Sequence, residues 1–490
     1  MVTADSPTAG SPLGISDLLR RASDPSHPAV LDGPTRLTTG QLDARVTAAA
    51  LALIAAGGEP GDRVILALPT GVDFVVCYLG ALRAGLIAVP VNPAYTPAEM
   101  DRVAADADPT LRVTVDSVAE LLAGAPDGDD PRLDRSGEQT AVLLYTSGTS
   151  GQPKGAMLSA RAMLANLDQM AALDPPLLDA ADVLLVPLPL THIFGLNAGL
   201  GMALRVGATL VLVDQFHPGA TLDLMAQAGV TAVLGVPGQF AAWIRQPNFE
   251  RGFATVRTGI SGASALPPAV WAAYAERGVR LLDGYGLTEA APVVSLEVRP
   301  SAVPGSVGRP LPGVEVQLRD AGGEAIDEEE EEDPGRLYVR GPNLFSGYWP
   351  DGRDGPDADG WFGTGDIAQR DADGNLHLVG RTSDLVVVHG FNVYPAEVES
   401  VLSRQPGVAQ VAVVGVADER AGEAIRAFVV PLPGALLDPE ALLAAASRSL
   451  ARFKLPKAIE VVSSLPITVT GKVMKWRLGA AGEEHPDAGQ

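Results

Sequence analysis

The chain has 490 residues, of which 47% are hydrophobic and 19% charged, and its formal net charge is −23. A single hydrophobic core rarely grows past about 250–300 residues, so we expect at least two domains. The acidic balance argues against nucleic-acid binding through a general basic surface, and the composition excludes a disordered chain.

The single cysteine and the chain ends bear on the compartment. Cys77 lies in an apolar stretch, which favours a buried core residue over a catalytic thiol and fits a reducing, cytoplasmic setting. The first residues carry no basic start and no apolar run, so no secretory signal is expected. Residues 183–204 lack Asp, Glu, Lys and Arg, but prolines, glycines and His192 interrupt them. They predict strand, loop and buried helix rather than a membrane-spanning segment. The sequence does not distinguish a monomer from a homodimer.

The first 300 residues alternate between predicted helices and strands. Residues 39–56 predict a helix that ends at a pair of glycines. A strand at 64–68, a helix through Leu82 and a strand at 86–91 follow. Further strands are predicted at 183–186, 209–213, 232–236 and 279–282. Such alternation is typical of an α/β fold whose parallel-rich sheets are covered by helices.

From about residue 300 the strands become more frequent and the turns denser, which predicts a β-rich subdomain. Seven acidic residues at 327–333 favour a solvated loop over a cation site. After Arg381, helices are predicted at 395–403 and 438–451, and strands at 408–416, 424–431 and 458–463. We therefore predict an N-terminal domain over 1–380 and a small α+β domain over 381–490.

The strongest local signal is the stretch 141–155, in which an apolar strand leads into a loop of hydroxyl and glycine residues with one lysine. A predicted helix at 159–173 follows it. Glycines let the backbone approach phosphate oxygens, hydroxyls donate to them, and Lys154 adds a positive charge. The loop is not that of the P-loop ATPases, because Pro153 precedes the lysine and Gly155 follows it. A Ser/Gly-rich linker is the alternative, and the position directly after a strand argues against it.

Four further motifs follow along the chain. Residues 283–289 form a strand-end loop in which Tyr285 could stack on a base and Glu289 could hold Mg²⁺. Residues 361–366 end in Asp366, whose carboxylate could accept ribose hydroxyls. The remaining two motifs occupy residues 380–384 and 466–472.

In this order and spacing, the five motifs resemble those of the adenylate-forming superfamily, which contains acyl-CoA synthetases, luciferases and peptide-synthetase adenylation domains. The resemblance covers about residues 30–478. It implies ATP, Mg²⁺ and coenzyme A as ligands, a carboxylic acid as the substrate, and a mobile C-terminal domain. The acidic net charge adds the expectation of no nucleic-acid partner.

The resemblance also implies a role for individual residues. The ATP phosphates would be held by Thr146, Ser147, Gly148, Thr149, Ser150, Gly151 and Lys154. Mg²⁺ would be held by Thr146 and Glu289. Adenine and the α-phosphate would be surrounded by Gly262, Ala263, Ser264, Asp283, Gly284, Tyr285, Gly286 and Thr288. The ribose would be bound by Asp366 and Arg381. Catalysis would involve Glu289, His192 at the acyl pocket and Lys472 at the reacting phosphate.

In the superfamily the C-terminal domain rotates between two steps. The resemblance implies that Lys472 serves adenylation and that the loop around Gly390 serves thioester formation. The usual pivot residue is Asp or Lys, whereas this chain has Ser383, followed by Asp384. Rotation itself needs only a residue whose dihedral angles can change.

Several stretches favour a fatty-acid–CoA ligase, namely 154–159, 285–292 and 391–398. Peptide-synthetase domains usually carry Pro at the position of Leu287 and an Asp that pairs with the substrate amine. Residues 195–204 are apolar and the next Asp is Asp214, so an uncharged acyl tail is favoured. An aromatic acid, a carrier-protein acceptor and a non-catalytic binding protein are the alternatives.

Overall fold

The computed structural model describes residues 14–20, 24–147, 153–299, 303, 305–326, 333–389, 391–418, 422–466 and 473–479. The chain divides into two compact units. The first comprises Met1–Val316 and Val339–Phe362, and the second comprises Gln317–Tyr338 and Gly363–Gln490. This division reflects packing alone. The predicted boundary between residues 380 and 381 concerns a moving domain and stays a prediction.

The first unit contains most of the secondary structure. Its strands are β1 (Pro28–Asp32), β2 (Thr35–Thr38), β3 (Arg63–Ala67), β4 (Ile87–Pro90), β5 (Leu111–Thr114), β6 (Thr140–Ser147), β7 (Pro153–Ser159), β8 (Val183–Val186), β9 (Thr209–Leu212), β10 (Ala232–Gly235), β11 (Thr258–Ser261), β12 (Arg280–Gly286), β13 (Val293–Leu296) and β14 (Arg309–Pro310). Its helices are α1 (Asp17–Arg20), α2 (Thr39–Ala55), α3 (Val72–Arg83), α4 (Pro97–Ala107), α5 (Val118–Ala123), α6 (Ala160–Ala171), α7 (Met202–Val206), α8 (Pro218–Ala228), α9 (Pro237–Trp243), α10 (Phe249–Gly252) and α11 (Pro268–Ala275).

Two sheets organise this unit. The first has the order β5-β3-β4-β6-β7, in which all pairs are parallel except β6 with β7. The second has nine strands in the order β14-β13-β12-β11-β10-β8-β9-β1-β2, with a parallel centre and antiparallel edges. Because parallel strands need crossover connections, helices cover both sheets.

Helix boundaries in this unit follow local sequence rules. Thr38 and Gln41 form a reciprocal capping box at the start of α2. Thr96 and Glu99 do the same for α4, whose first residue is Pro97. Between β8 and α7 the chain forms a π-helix, Phe194–Gly201. The two capping boxes fix the first residues of α2 and α4.

An aromatic cluster fills the core beside the nine-stranded sheet. Trp243 and Tyr274 are fully buried there. Phe240 contacts both rings edge-on, with centroids 5.4 Å apart in each pair. The Tyr274 hydroxyl donates to the carbonyl oxygen of Phe240 at 2.9 Å, so this buried polar group is satisfied.

Two further sheets lie largely in the second unit. Strands β15 (Glu315–Arg319), β16 (Gly335–Arg340), β17 (Phe362–Arg370) and β18 (Leu376–Arg381) form a four-stranded sheet in chain order. Strands β19 (Val386–Val388), β20 (Phe391–Val393), β21 (Val408–Asp418), β22 (Gly422–Pro431) and β23 (Ala458–Val461) form a five-stranded sheet. The helices are α12 (Pro395–Ser403), α13 (Pro439–Ala446) and α14 (Lys475–Gly479).

The predicted fold class is confirmed, with a parallel-rich α/β region, a β-rich region and a small α+β region. The strand at 183–186 and the helix at 395–403 have the predicted bounds. Cys77 is fully buried, and burial together with the nearby Asp73 raises its pKa to about 12, which confirms a core residue. Among the described helices, none has the length and apolar character to cross a membrane.

Three predictions about local structure were wrong. Residues 153–159, where no strand was predicted, form β7 because they pair with β6, although the helix predicted after them is present as α6. Residues 283–286, expected as a loop, continue β12 because they pair with the antiparallel strand β13. The helix predicted over 438–451 ends earlier, at Ala446. The acidic run lies largely outside the described residues.

Candidate active site

The phosphate loop connects two antiparallel strands. β6 and β7 pair so that Thr146 lies opposite Lys154 and Ser147 opposite Pro153. Gly148, Thr149, Ser150 and Gly151 lie outside the described residues. The hairpin therefore brings the two predicted phosphate and metal ligands, Thr146 and Lys154, to the same end of one sheet.

Lys154 is held by two side chains that sequence reasoning missed. Its Nζ atom lies 2.8 Å from Oδ2 of Asp354 and 5.0 Å from the ring centroid of Tyr348. Both members of the ion pair are exposed to solvent, with side-chain exposures of 41% for Lys154 and 61% for Asp354. The carboxylate of Asp354 thus serves as the counterion of the ammonium group, and the face of the Tyr348 ring lies beside it.

Tyr348 also contacts Glu289, the predicted metal ligand. Its hydroxyl donates to Oε1 of Glu289 at 2.5 Å. Glu289 lies in a short helical turn, Thr288–Ala290, that follows β12. The pKa of Tyr348 is raised by burial and by the nearby carboxylates of Glu289 and Asp354, so the phenol stays protonated and remains a donor. Tyr348 therefore links Lys154 and Glu289.

Asp283 is a buried carboxylate on β12. Its Oδ2 accepts a long hydrogen bond from the backbone N–H of Leu266 at 3.4 Å, and its Oδ1 has no hydrogen-bond partner among the described residues. Burial raises the pKa of Asp283 to about 7. The carboxylate lines a small open cleft together with Trp271, Glu297 and Ser306. A hydrogen-bond donor in this cleft could satisfy Oδ1.

Residues 262–264, which come directly after β11 of the nine-stranded sheet, form a sharp turn. At Gly262 the backbone comes close to Phe194, and a Cβ there would lie 3.0 Å from the Phe194 ring. Ala263 adopts a left-handed backbone with φ of 69°, which turns the chain sharply toward Ser264. On β12, Tyr285 is buried, whereas Gly286 is exposed. The turn follows β11, and Gly284 and Thr288 lie at or just after the end of β12. Because β11 and β12 are paired, both segments leave the same sheet from neighbouring strands.

His192 precedes the π-helix. The backbone N–H of Phe194 donates to its Nδ1 at 3.3 Å. Because Nδ1 accepts, the neutral imidazole carries its proton on Nε2. The π-helix that follows is buried from Gly195 to Gly201 and contains no ionisable residue. The histidine thus lies at the entrance of an apolar, glycine-rich segment.

In the second unit, Asp366 and Arg381 are neighbours across the β17–β18 hairpin. Nε of Arg381 lies 3.0 Å from Oδ1 of Asp366. The carboxylate is 8% exposed and the guanidinium 50% exposed. The backbone N–H of Asp366 donates to Oγ1 of Thr364 at 3.1 Å, which fixes this bend of the strand. The structure therefore brings together the two predicted ribose ligands.

Two other predicted residues, Gly390 and Lys472, lie outside the described residues. Next to the pivot position, the Ser383 hydroxyl donates to Oδ1 of Asp384 at 3.0 Å. Nζ of Lys475 lies 2.8 Å from Oε1 of Glu399 and 3.8 Å from Oδ2 of Asp384. The segment that follows Lys472 is thus anchored on the second unit.

Comparison with known proteins decides the family. The pattern of the AMP-binding enzyme family matches residues 19–349, and that of the AMP-binding enzyme C-terminal domain matches residues 397–472. The chain belongs to the AMP-binding enzyme family. This confirms the predicted adenylate-forming superfamily.

Relatives of this AMP-binding enzyme are CoA ligases. A feruloyl-CoA synthase from Amycolatopsis sp is 36% identical over 94% of this chain and 97% of its own. A long-chain-fatty-acid–CoA ligase from Escherichia coli O157:H7 is 34% identical over 86% of each chain. The crystal structure of ATP-bound MatB from Rhodopseudomonas palustris superposes with a TM-score of 0.90, at 32% identity, over 96% of this chain and 99% of MatB. These comparisons support AMP-forming acyl-CoA ligase activity, with ATP and CoA as substrates, while the acids that the relatives' names specify differ.

Proposed function

We propose that this AMP-binding enzyme activates a carboxylic acid with an uncharged tail, and specifically a fatty acid, as its acyl-adenylate and passes it to CoA. The observation that carries the proposal is the buried, uncharged segment that follows His192. Residues 193–204 contain no Asp, Glu, Lys or Arg, and Gly195 to Gly201 are buried. A charged tail would find no counter-charge along this segment, whereas an apolar tail suits it.

The proposed nucleotide ligands are those that the superfamily implies. Lys154 would bind the ATP phosphates, and Asp283 would face the adenine. Asp366 would accept ribose hydroxyls, supported by Arg381. The buried Oδ1 of Asp283, which no described residue satisfies, and the fixed Asp366 carboxylate are acceptors of the kind that amine and hydroxyl groups need.

Magnesium would be held by Glu289 and Thr146. In ATP sites Mg²⁺ usually takes one or two carboxylates, phosphate oxygens and several waters. One carboxylate and one hydroxyl fit that requirement, and the described residues contain no larger cluster of His, Cys, Asp and Glu arranged for a metal. When bound, the ion neutralises phosphate charge. The Tyr348 hydroxyl donates to Oε1 of Glu289 and would hold that carboxylate in place for the ion.

In the first step, the substrate carboxylate attacks the α-phosphorus of ATP and pyrophosphate leaves. The reaction needs positioning and charge neutralisation rather than a protein base. Lys472 would supply positive charge at the α-phosphate, and His192 would border the substrate carboxylate. In the second step, the CoA thiol displaces AMP from the acyl-adenylate, after rotation about the pivot at Ser383.

A second candidate substrate class is an aromatic acid. Two observations favour it: the Phe194 ring that packs against Gly262, and the aromatic substrate that the name of the feruloyl-CoA synthase implies. An aromatic wall beside a glycine gives a flat acyl tail a surface on which to stack. The cytoplasmic location stays a prediction.

The test is a substrate panel. AMP release with Mg-ATP would be measured for short, medium and long fatty acids, cinnamic acids and benzoic acids, each with and without CoA. We expect CoA-dependent AMP release with the highest kcat/KM for a fatty acid. A higher kcat/KM for a cinnamic acid would replace the fatty-acid assignment. Pyrophosphate release that ignores CoA would indicate a carrier-protein acceptor, and silence on every acid would contradict the proposed class of substrate.

A further inference from the structure

The counterion of Lys154 suggests a role that the family does not supply. Asp354 lies 200 positions from Lys154 in the chain, yet its carboxylate is 2.8 Å from the ammonium group. The pair is exposed on both sides. Exposed ion pairs contribute little to stability, so this contact is not needed to hold the fold.

The turn that carries Asp354 is tightly built. The backbone N–H of Trp349 donates to the Gly155 carbonyl oxygen at 2.8 Å. This bond joins the turn to β7 directly beside Lys154. Within the turn, Gly352 N–H donates to the Tyr348 carbonyl oxygen at 2.8 Å. Gly347 has φ of 96°, and a Cβ there would lie 2.0 Å from the Gly352 carbonyl oxygen. Asp354 is therefore held beside the lysine by the backbone.

Lys154 has limited freedom on its other side. Its ammonium group already lies over the Tyr348 ring, whose hydroxyl is hydrogen-bonded to Glu289. A phosphate group that approaches Lys154 must therefore displace Asp354 or accept a carboxylate beside it. Either outcome opposes phosphate binding, because two anions then compete for one cation.

Resting on the proposed function, we propose that Asp354 competes with the phosphates of the nucleotide for Lys154 and thereby promotes release of pyrophosphate. Asp354 touches no reacting atom and acts through Lys154, so it is a positioning residue. Its removal strengthens binding of pyrophosphate and lowers the KM for ATP without raising kcat. The effect is about two- to five-fold, the range of an exposed ion pair.

The test is calorimetric titration of the full chain with pyrophosphate and Mg²⁺. Asp354→Asn removes the charge and keeps the shape, and Asn tolerates the left-handed backbone of residue 354, where φ is 53°. Asp351→Asn is the matched control, because Asp351 lies on the same turn but pairs with Arg353 at 2.8 Å. Lys154→Met, alone and combined with Asp354→Asn, shows whether the effect passes through the lysine.

We expect tighter pyrophosphate binding in Asp354→Asn, no change in Asp351→Asn, and no effect of Asp354→Asn when Lys154 is Met. The gain in pyrophosphate affinity of Asp354→Asn becomes smaller at high salt, because salt screens exposed charges. Weaker or unchanged binding in Asp354→Asn overturns the proposal and makes Asp354 a support or a bystander of Lys154. A gain that survives in the Lys154→Met background also overturns it. A wild-type chain that binds neither Mg-ATP nor pyrophosphate contradicts the proposed function itself.

Discussion

Two hairpins, one in each unit, place a cation beside a carboxylate. In the β6–β7 hairpin, Lys154 lies opposite Thr146 and pairs with Asp354. In the β17–β18 hairpin, Arg381 lies opposite Asp366 and pairs with it. The motifs are similar in composition, but the carboxylates differ in burial, with exposures of 61% for Asp354 and 8% for Asp366.

That difference separates two tasks. A buried carboxylate whose cation is removed is costly, so Asp366 keeps its partner and its position and can accept hydrogen bonds from a ligand. An exposed pair has little net stability and can exchange partners. We therefore propose that the second hairpin offers a fixed acceptor to the ribose, and that the first offers a cation that can exchange a carboxylate for a phosphate.

The largest expected effect concerns a third cation, Lys472. If it is aimed at the α-phosphate only during adenylation, Lys472→Ala lowers the rate of adenylate formation by about 10²–10³-fold, the range for loss of one group that stabilises developing charge. Thioester formation from added acyl-AMP stays intact. Single-turnover assays of each half-reaction check this, with the exposed Lys457→Ala as control. Equal loss in both half-reactions would remove the proposed division of labour.

The next effect probes the fixed acceptor. Asp366→Asn places an amide donor where Arg381 also donates and removes a charged acceptor from the ribose. A hydrogen bond to a charged group contributes about 1.5–3 kcal/mol, so the KM for ATP rises about 10–100-fold. Steady-state kinetics measure it, and Asp373→Asn, on the exposed turn of the same hairpin, is the control. An equal KM in both variants would mean that Asp366 does not bind the nucleotide.

A smaller effect is expected at Tyr348, which lies beside Lys154. Tyr348→Phe keeps the ring beside Lys154 but removes the hydroxyl that orients Glu289. The Mg²⁺ concentration for half-maximal ATP binding rises by about 3–10-fold, as expected for one lost hydrogen bond. Titration of ATP binding against Mg²⁺ checks it. Tyr145→Phe is matched, because its hydroxyl donates to Asp106 at 2.6 Å. If both variants respond alike, Tyr348 has no special relation to the metal.

Asp283 extends the comparison, because it is buried like Asp366 but forms no ion pair with any described residue. Burial raises its folded pKa to about 7, above the value of about 3.9 expected in the unfolded chain. Its contribution to stability is therefore complete below about pH 4 and is lost as the pH rises through 7.

Relative to Asp283→Asn, which cannot ionise, the wild type should lose on the order of 1–2 kcal/mol between pH 5.5 and 8.5. Thermal unfolding of both proteins at the two pH values measures the difference. A difference in melting temperature that does not depend on pH would show that Asp283 does not titrate in this range.

The parts of the fold that the sequence predicted well are those with strong local patterns. The strand β8 is a short apolar run and α12 begins with a proline and two glutamates in its first turns, so both bounds agree. β7 was missed because its pairing with β6 and with the turn at Gly347 is set by tertiary contacts, not by its own alternation.

In the candidate site, too, the sequence predicted residues that belong to local motifs and missed those that come from distant parts of the chain. Motifs predicted Lys154, Glu289, Asp366 and Arg381, and the structure brings two pairs of them together through Tyr348 and across the β17–β18 hairpin. Tyr348 and Asp354 were missed because they are 59 and 200 positions from the residues that they contact. No local pattern reports such a distance. The aromatic pair Tyr348 and Trp349 after a glycine was the only sequence signal at this place.

The most direct test of the central claim is the stoichiometry of products from one reaction. Purified enzyme would be incubated with Mg-ATP, CoA and the preferred acid, and the nucleotides and thioester quantified by chromatography. We predict that AMP, pyrophosphate and acyl-CoA form in equal amounts, and that omission of either acid or CoA abolishes AMP turnover. Formation of ADP, or AMP turnover that continues at the full rate without CoA, would contradict an AMP-forming acyl-CoA ligase.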